Sequence, residues 1–583
     1  MSSARIAADC RGMNFWRADQ SVRDLLRLRM PGDLLTHLEP HFGHLGELCG
    51  SRLDELAEVA DKHPPVLHPR DRTGRDEDWI EYHPAYREME RIAFGEFGLH
   101  AMSHRSGVLG WPEPIPALGK YAFQYLFVQA EFGLMCPVSL TDTAAYVVRC
   151  HGSEALRAYL LPRMLSQDLS ELWRGAQFMT ETSGGSDVGA LETTAERLGT
   201  DDSGLDCWRL SGDKWFCSHA DAEVALVLAR PCGAGPGSKG LALYAMPRWL
   251  PDGSRNGYRI VRLKNKLGTR SMASGEIRID GAIAYLVGDE RRGLAQMLDQ
   301  VNLSRLSHGV RAAGMMRRCL NEALAVARSR RAFGRPLIEH PLLRRQLMKI
   351  MLPAEQALST VLYAAQVMER AERGDVTARA VLRILTPLVK LRACRDNLAV
   401  ASNALEVRGG NGYIEDWVNA RLLRDGQLGT VWEGTSNVNA LDVVVRAAGR
   451  EHAHEALAGA LHEMIAHPRL PETLRSELRG LVDRATIAVG KAAADPGREE
   501  HCRTVAGALY HVTSAVLLAH EGADLGATSG DARRLLLAWL VLAHRLRRPD
   551  PFGAADDDRL AKATNLLLAC APVPLTQATE VIA

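Results

Sequence analysis

The sequence ALEVRGGNGYIEDWVNARLLRDGQLGTVWEGTSN, residues 404–437, holds two unusual patterns within one short stretch. The first is RGGNGY (408–413), which follows a helical period. One glycine is enough to stop a helix, so three glycines in four positions indicate a backbone that something approaches closely. A Schellman-type helix end is the alternative interpretation, and it explains only one of the three.

The second pattern is Glu433, which stands between Trp432 and Gly434 and follows the apolar run LGTV. An apolar setting removes water from a carboxylate and raises its pKa, which suits acid-base chemistry. Thr435 and Ser436 are both able to cap the helix that follows. A surface glutamate just before a helix N-cap is therefore the alternative interpretation.

Outward from this stretch the hydrophobic period changes twice. Helical periods cover 293–330, 341–373, 376–408 and 436–448, enough for a four-helix bundle. From Trp173 the pattern consists of short period-two runs between glycine turns, typical of β-strands. The flanking parts are helical, with surface loops predicted at DKHPPVLHPRDRTGRDED (61–78) and EGADLGATSG (521–530).

These patterns predict an α+β multidomain protein built from four parts. They are an N-terminal α-helical domain at 1–172, a middle β-sandwich or barrel domain at 173–288, a C-terminal four-helix bundle at 289–449, and an extra C-terminal helical extension at 450–583.

Composition excludes several classes of protein. Lys and Arg number 71 against 70 Asp and Glu, so no overall charge attracts nucleic acid. Eleven scattered cysteines without a CxxC pair predict reduced thiols. No signal peptide is visible and the apolar run Leu535–Ala543 is too short to cross a bilayer, so we expect a cytoplasmic protein without membrane contact. HEMIAH (462–467) lacks the HExxH spacing, no metal site is expected, and GxGxxG and Walker A motifs are absent.

Two further motifs lie in the β-rich part. TETSGGSD (180–187) closes a β-run with two glycines and several hydroxyls, groups able to bind a flavin edge or a phosphate. A plain Gly/Ser turn is the alternative interpretation. KWFCSH (214–219) offers two aromatic rings and a hydroxyl that suit a planar cofactor, although a hydrophobic core strand explains the rings equally well.

In this order and spacing the motifs resemble the acyl-CoA dehydrogenase superfamily over about residues 90–446. RSRRAFGRPLIEHPLLR (328–344) followed by 404–437 is similar to that family's C-terminal bundle, and the motifs at 180–187 and 214–218 take the positions of its two flavin-facing segments. MTETSGGSDVGALETTA, RLKNKLGTRSMASGEI and the helical extension resemble the adaptive alkylation-response, AidB-like branch.

The resemblance implies an FAD site that is shared between the subunits of a homotetramer. The implied cofactor contacts are Met179, Thr180, Gly185, Ser186, Phe216, Ser218, Arg330, Phe333, Glu406, Gly409, Gly410, Thr435 and Asn437. Glu433 matches the family's catalytic base. Ser304 stands where some relatives carry the base instead, and Arg305 matches an arginine at the substrate mouth. Glu406 departs from the glutamine of many relatives, and its charge repels a pyrophosphate unless Arg330 or Arg331 pairs with it.

The implied function is that of an FAD-dependent oxidoreductase (EC 1.3.-.-) acting on the CH–CH group of an acyl-CoA-like thioester. The carboxylate takes the α-proton while a hydride leaves the β-carbon for the flavin. Either an electron-transfer flavoprotein or oxygen then accepts the electrons. The alternative is an AidB-like alkylation-response flavoprotein with weak dehydrogenase activity that binds DNA or a protein partner through its extension.

Charge weighs against DNA binding by the extension. Residues 444–583 contain 16 Lys and Arg against 17 Asp and Glu. If 531–548 is one helix, Arg534, Arg545 and Arg548 fall near one face. That face supplies about three phosphate contacts, which predicts weak, salt-sensitive binding that is nearly absent at physiological salt.

Overall fold

A computed structural model of the chain describes residues 6–547 and 558–583. The chain divides into two compact units. Unit 1 consists of Met1–Gly50, Ala117–Gln129 and His308–Ala583, and unit 2 of Ser51–Pro116 and Ala130–Ser307.

Helices dominate unit 1. Those that precede the predicted bundle are α1 (Phe15–Ala18), α2 (Gln20–Arg29), α3 (Gly32–Gly50) and α6 (Ala117–Phe127). The bundle and its continuation contain α10 (Pro341–Glu372), α11 (Val376–Arg408), α12 (Val418–Leu428), α13 (Ser436–Leu441) and a π-helical turn Asp442–Ala448. The extension contains α14 (Ala453–Ile465), α15 (Glu472–Ala494), α16 (Cys502–Thr528), α17 (Arg533–Val541), a π-helical turn Leu542–Leu546, α18 (Asp558–Leu568) and α19 (Leu575–Ile582).

Local signals in the sequence set the ends of the long helices. α9 (Gly293–Ser329) contributes residues to both units. Pro341 begins α10 because a proline at the first helical position loses no hydrogen bond. Asp375 caps α11 by accepting from the Ala378 amide at 2.9 Å, and Gly409 ends it with a φ of 75°. The helices predicted at 293–330, 341–373, 376–408 and 436–448 are thereby confirmed, while α12 is an addition.

Unit 2 contains the β-domain. Its strands are β1 (Val66–Arg70), β2 (Asp76–Glu81), β3 (Gly175–Phe178), β4 (Thr194–Thr200), β5 (Asp206–Ser218), β6 (Val224–Pro231), β7 (Ala242–Pro247), β8 (Tyr258–Leu263) and β9 (Ser274–Leu286). Its remaining helices are α4 (Arg52–Lys62), α5 (Pro84–Glu90), α7 (Met135–His151) and α8 (Glu154–Met164). Two further short strands, β10 (Arg331–Ala332) and β11 (Arg335–Pro336), belong to unit 1.

The main sheet closes on itself. β6 pairs with both β4 and β7, and the path β6-β4-β5-β9-β7 therefore returns to its start. β3 and β8 attach to β6 and β9. The predicted sandwich or barrel is thus a small barrel, and β4 is a strand that the sequence pattern missed because its residues are largely exposed.

The surface loop predicted at 61–78 is wrong in part. Its residues 66–78 belong to the antiparallel hairpin β1–β2, and residues 61–62 end α4. The Asp71 carboxylate accepts from the amides of Thr73 at 2.7 Å and Arg75 at 2.9 Å, and Gly74 has a φ of 84°. Aspartate and glycine at these positions build a tight turn. The same residues are common in irregular loops, so the sequence pattern did not distinguish the hairpin from a loop.

The loop predicted at EGADLGATSG (521–530) is also wrong, because α16 continues to Thr528. Glu521 is buried, and a Cβ on Gly522 would lie 2.5 Å from the backbone nitrogen of Leu535 on α17. Gly522 therefore marks a close crossing of α16 and α17 rather than a loop. The stretch Pro496–Thr528 also has the length and hydropathy of a membrane span, but 78% of its apolar window is buried, as in a core helix.

Candidate active site

Glu433 lies in the turn between α12 and α13. Its φ is 54° and that of Gly434 is 89°, so two successive residues adopt the left-handed conformation. A glutamate is strained there, and such strain persists only where the surroundings fix the backbone. The side chain of Glu433 is half-buried.

Donors from two helices hold this turn. Asn439 Nδ2 donates to the carbonyl oxygens of Glu433 at 3.4 Å, Gly434 at 2.8 Å and Thr435 at 3.0 Å. The Lys390 ammonium on α11 donates to the same Gly434 oxygen. Thr435 takes the N-cap position of α13 without a capping bond from its side chain. Its exposed hydroxyl is therefore not used by the helix.

The glycine motif lies at the end of α11, where the sequence predicts it. Gly409 has a φ of 75°, and a Cβ there would lie 3.4 Å from Nη1 of Arg330. Among the described residues, and leaving out its two chain neighbours, no heavy atom lies within 4 Å of the Cβ position at Gly410. A Cβ on Gly412, by contrast, would lie 2.4 Å from the Leu405 carbonyl oxygen. The structure thus brings Arg330 beside Gly409 and leaves the backbone of Gly410 open, a cradle that suits a phosphate-bearing group.

Glu406 lies next to this cradle on α11. Gln346 on α10 donates to its carboxylate at 2.9 Å. Both residues line a surface pocket of about 340 Å³ together with Leu342, Arg345, Lys349 and Asn403. Arg345 and Lys349 supply positive charge in the same pocket. Arg331, one of the two arginines predicted to pair with Glu406, instead donates to the Gly334 carbonyl at 2.9 Å.

Phe333 lies in the tight turn between β10 and β11 with a φ of 51°, and its ring is 95% exposed. Asn437 on α13 is exposed and accepts from Arg503 of α16 at 3.4 Å. Arg395 donates to the neighbouring Ser436 hydroxyl at 3.4 Å. The extension thereby places a cation beside a predicted cofactor contact, which the motifs alone did not indicate.

In unit 2 the KWFCSH motif forms a β-bulge. Lys214 pairs with Ile277 of β9, but Cys217 already pairs with Gly275, so β5 holds one extra residue. Bulges re-aim side chains beside functional sites, and Phe216 is 56% exposed here. Ser218 pairs with Ser274 on β9 and is half-buried.

The loop 180–186 is tied to this bulge. The Trp215 amide donates to the Thr180 carbonyl at 2.8 Å. Glu181 and Lys214 form a buried ion pair with 2.8 Å between Nζ and Oε1. Burial alone raises the pKa of Glu181, but Lys214 and nearby amides hold it below its ordinary value. Burial lowers the pKa of Lys214 and Glu181 opposes that effect, so each group depends on its partner and the pair fixes one segment to the other.

The remaining residues of this set lie in or next to the loop 180–186. Met179 follows the last residue of β3 and is half-buried, and Ser186 is exposed. A Cβ on Gly185 would lie 2.6 Å from the Thr180 hydroxyl, so any larger residue would require the Thr180 side chain to shift. The loop and the bulge thus bring Met179, Thr180, Gly185, Ser186, Phe216 and Ser218 into one part of unit 2.

Ser304 and Arg305 lie in the half of α9 that belongs to unit 2, and both are buried. Arg305 donates to Asn302 one turn earlier at 3.1 Å. The sequence did not indicate Lys390 or His308, two buried residues beside the Glu433 turn. His308 contacts Trp432 edge to face, with 5.7 Å between ring centroids. The signal for Lys390 was a single lysine inside the apolar run TPLVKL (386–391).

Three family models match the chain. They are the adaptive response protein AidB N-terminal domain at residues 6–170, the acyl-CoA dehydrogenase middle domain at 176–282 and the acyl-CoA dehydrogenase C-terminal domain at 291–448. Acyl-CoA dehydrogenase family member 11 of Caenorhabditis elegans is 30% identical over 81% of this chain and 77% of its own length. The chain belongs to the acyl-CoA dehydrogenase family.

Other relatives refine this assignment to the AidB-like branch. AidB of Escherichia coli (strain K12) is 32% identical over 71% of this chain and 75% of its own. The crystal structure of the C. elegans protein with C11-CoA covers 94% of each chain with a TM-score of 0.86 and 26% identity. A Bacillus anthracis acyl-CoA dehydrogenase complexed with FAD covers 86% of this chain and 89% of its own (TM-score 0.65, 17% identity), which shows the shared fold.

Proposed function

We propose that this protein is an FAD-dependent acyl-CoA dehydrogenase that oxidises the Cα–Cβ bond of an acyl-CoA-like thioester. The observation that carries the proposal is the Glu433 turn, a half-buried carboxylate on a strained backbone that donors from α11 and α13 fix. A site that holds a general base in one orientation in the free protein suits proton abstraction. The C11-CoA complex of the C. elegans relative supports an acyl-CoA as the substrate.

The residues present fit a flavin dinucleotide. The open glycine backbone and Arg330 suit its pyrophosphate, and the bulge at Phe216 with the loop at 180–186 suits its ring. When bound, FAD supplies the acceptor for the hydride from the β-carbon. The chain's own part is to orient the thioester and to take the α-proton on a carboxylate oxygen of Glu433.

Anaerobic bleaching of the flavin against a panel of acyl-CoAs tests this function. Glu433→Gln keeps the shape of the side chain but accepts no proton, so we expect FAD to be retained and flavin reduction to slow by about 10²–10⁴-fold. Glu415→Gln is the matched control, since Glu415 is an exposed glutamate paired with Arg424 at 2.8 Å. Undiminished reduction in the Glu433→Gln protein would move the base elsewhere.

We infer further that the protein is a cytoplasmic homotetramer that passes its electrons to an electron-transfer flavoprotein or to oxygen. Phe333 is 95% exposed and Tyr413 is 82% exposed, and both lie beside predicted contacts to a neighbouring subunit's cofactor. Large apolar side chains so exposed in the single chain suit a surface that another subunit covers. This supports a shared site.

The alternative, an alkylation-response protein that binds DNA through the extension, is less well supported. Arg534 is buried and pairs with Glu521 and Glu355, so it does not reach a phosphate as predicted. Arg547 pairs with Glu477 at 2.8 Å. Of the three arginines predicted to share one face, Arg548 lies outside the described residues. Arg545 is exposed and still available to a phosphate. DNA binding is therefore expected to be weak or absent.

A further inference from the structure

Lys390 is a buried cation at the turn that carries Glu433. It lies on α11 with 1% of its surface exposed, and its ammonium donates to the carbonyl oxygen of Gly434. A buried ammonium group is costly unless oxygen atoms replace its water. The peptide after Glu433 supplies one of those oxygen atoms, so the charge and the turn are bound to each other.

The turn needs such a contact because its backbone is strained at two positions in succession. Glu433 and Gly434 have φ values of 54° and 89°. The Gly434 oxygen accepts from two side chains, the Asn439 amide at 2.8 Å and Lys390. Asn439 belongs to the adjoining helix α13, whereas Lys390 connects the turn to α11 of the bundle. Lys390 is thus a contact that ties the peptide after Glu433 to the bundle, beside the bond from Arg395 of α11 to Ser436.

Two buried cations, Lys390 on α11 and Arg311 on α9, lie among the groups around the turn, and both act on His308 and Cys394. On α9, His308 and Arg311 are buried, and burial first, then Arg311 and Lys390, hold the pKa of His308 well below its ordinary value. His308 is therefore neutral. On α11, burial keeps Cys394 protonated, since its pKa is raised. Further charged groups on the packed elements include Arg395 on α11, Asp425 on α12, Arg503 on α16 and the pair Arg383–Asp442.

We propose that Lys390 is a positioning residue for Glu433. By fixing the Gly434 carbonyl it sets the direction of the Glu433 side chain, and through its charge it favours the ionised carboxylate that a base requires. The inference rests on the proposed function, in which Glu433 takes the substrate proton. It assigns a role to a buried residue of α11 that acts through the Gly434 carbonyl.

Three variants separate the hydrogen bond from the charge. Lys390→Gln keeps a donor and removes the charge, Lys390→Met removes both, and Asn439→Ala removes an uncharged donor to the same oxygen. A cation close to a carboxylate lowers its pKa by about one unit or more. We therefore expect the rising limb of the pH profile for flavin reduction to move up by about one pH unit in both Lys390 variants and to stay in place in Asn439→Ala.

The rates provide a second contrast. A small displacement of a catalytic group costs about 10²-fold, so Lys390→Met should slow reduction by about that factor at high pH, while Lys390→Gln recovers most of the rate there. The KM for the acyl-CoA should change little in either variant. An unshifted rising limb in both Lys390 proteins would overturn the proposal, because a purely structural lysine does not move it.

Hydrogen exchange measured by mass spectrometry tests the positioning without any turnover. Lys390→Met should speed amide exchange in peptides that cover 428–439 and leave the barrel strands unchanged. If none of the acyl-CoAs reduces the flavin of the wild-type protein, the proposed function fails. The exchange result alone then decides the role of Lys390. Unchanged exchange at 428–439 in Lys390→Met refutes the positioning role in either case.

Discussion

Replacing Arg534 by Met should destabilise unit 1 strongly, because this arginine is the centre of a buried ion network. Its guanidinium donates to Glu521 at 2.8 Å, to Glu355 at 2.9 Å and to the Ser359 hydroxyl at 2.5 Å. Glu521 also accepts from Arg29 at 2.5 Å, and Glu355 from Arg317 at 2.6 Å. The network joins α17 and α16 of the extension to α10 of the bundle.

Two lines of reasoning give the magnitude. Removing one partner of a buried ion pair costs about 3–5 kcal/mol, since the other charge stays buried. Burial alone raises the pKa of Glu355, but Arg317 and, after it, Arg534 hold it at about 2 against an ordinary 4.5. That difference corresponds to about 3 kcal/mol at neutral pH, and Arg317 and Arg534 share it. Because Arg29 and Arg317 remain to pair with the two glutamates, we expect the lower end, about 3 kcal/mol.

Urea unfolding followed by far-ultraviolet circular dichroism measures the effect. With a slope of about 3 kcal/mol per molar urea, the midpoint should fall by about 1 M. Arg547→Met is the matched control, because Arg547 also pairs with a glutamate of the extension but its side chain is 42% exposed. Such surface pairs contribute about 0.2–1 kcal/mol. Equal midpoints for the two variants would refute the reasoning.

The pH dependence has a definite sign. A carboxylate whose pKa is lower in the folded chain adds stability above its ordinary pKa and loses it as the pH falls through the folded value. The stability difference between wild-type protein and Arg534→Met should therefore be constant above pH 4.5 and shrink as the pH approaches about 2. A difference that grows in acid contradicts the assignment.

Two further expectations concern assembly and DNA. Light scattering should give about four times the 63.9 kDa chain mass, because Arg330 and Gly409 are expected to complete a neighbour's site, and a mass near one chain contradicts this. Duplex DNA binding should fall with a log–log salt slope of about −1.8, since Arg545 and Arg547, the exposed arginines of 531–547 outside Arg533 and Arg534, offer about two phosphate contacts. Fluorescence anisotropy measures this binding. Tight binding that persists at about 200 mM salt, and that is lost when Arg545 and Arg547 are both replaced by Ala, would contradict the expectation of weak DNA binding.

Sequence and structure agree best where a signal is local. Helix periods, the cap at Asp375 and the glycine at the end of α11 depend on residues a few positions apart, so the bundle and its motif were predictable. The two loop predictions were wrong because the same residue types also occur in hairpin turns and at close helix crossings. Gly74 and Asp71 form a hairpin turn, and Gly522 lets two helices cross, since glycine serves open loops and close packing equally well.

By itself the sequence determined the order of helical and β-rich segments, the family resemblance and the candidate base Glu433, because periodicity and motif spacing are written along the chain. The tertiary structure decided which charges are buried. Arg534 looked like a surface cation and is enclosed by Glu355 and Glu521, and Lys390 sits against the Gly434 carbonyl. Burial and partner choice arise from contacts between residues far apart in the chain, and no local pattern encodes them.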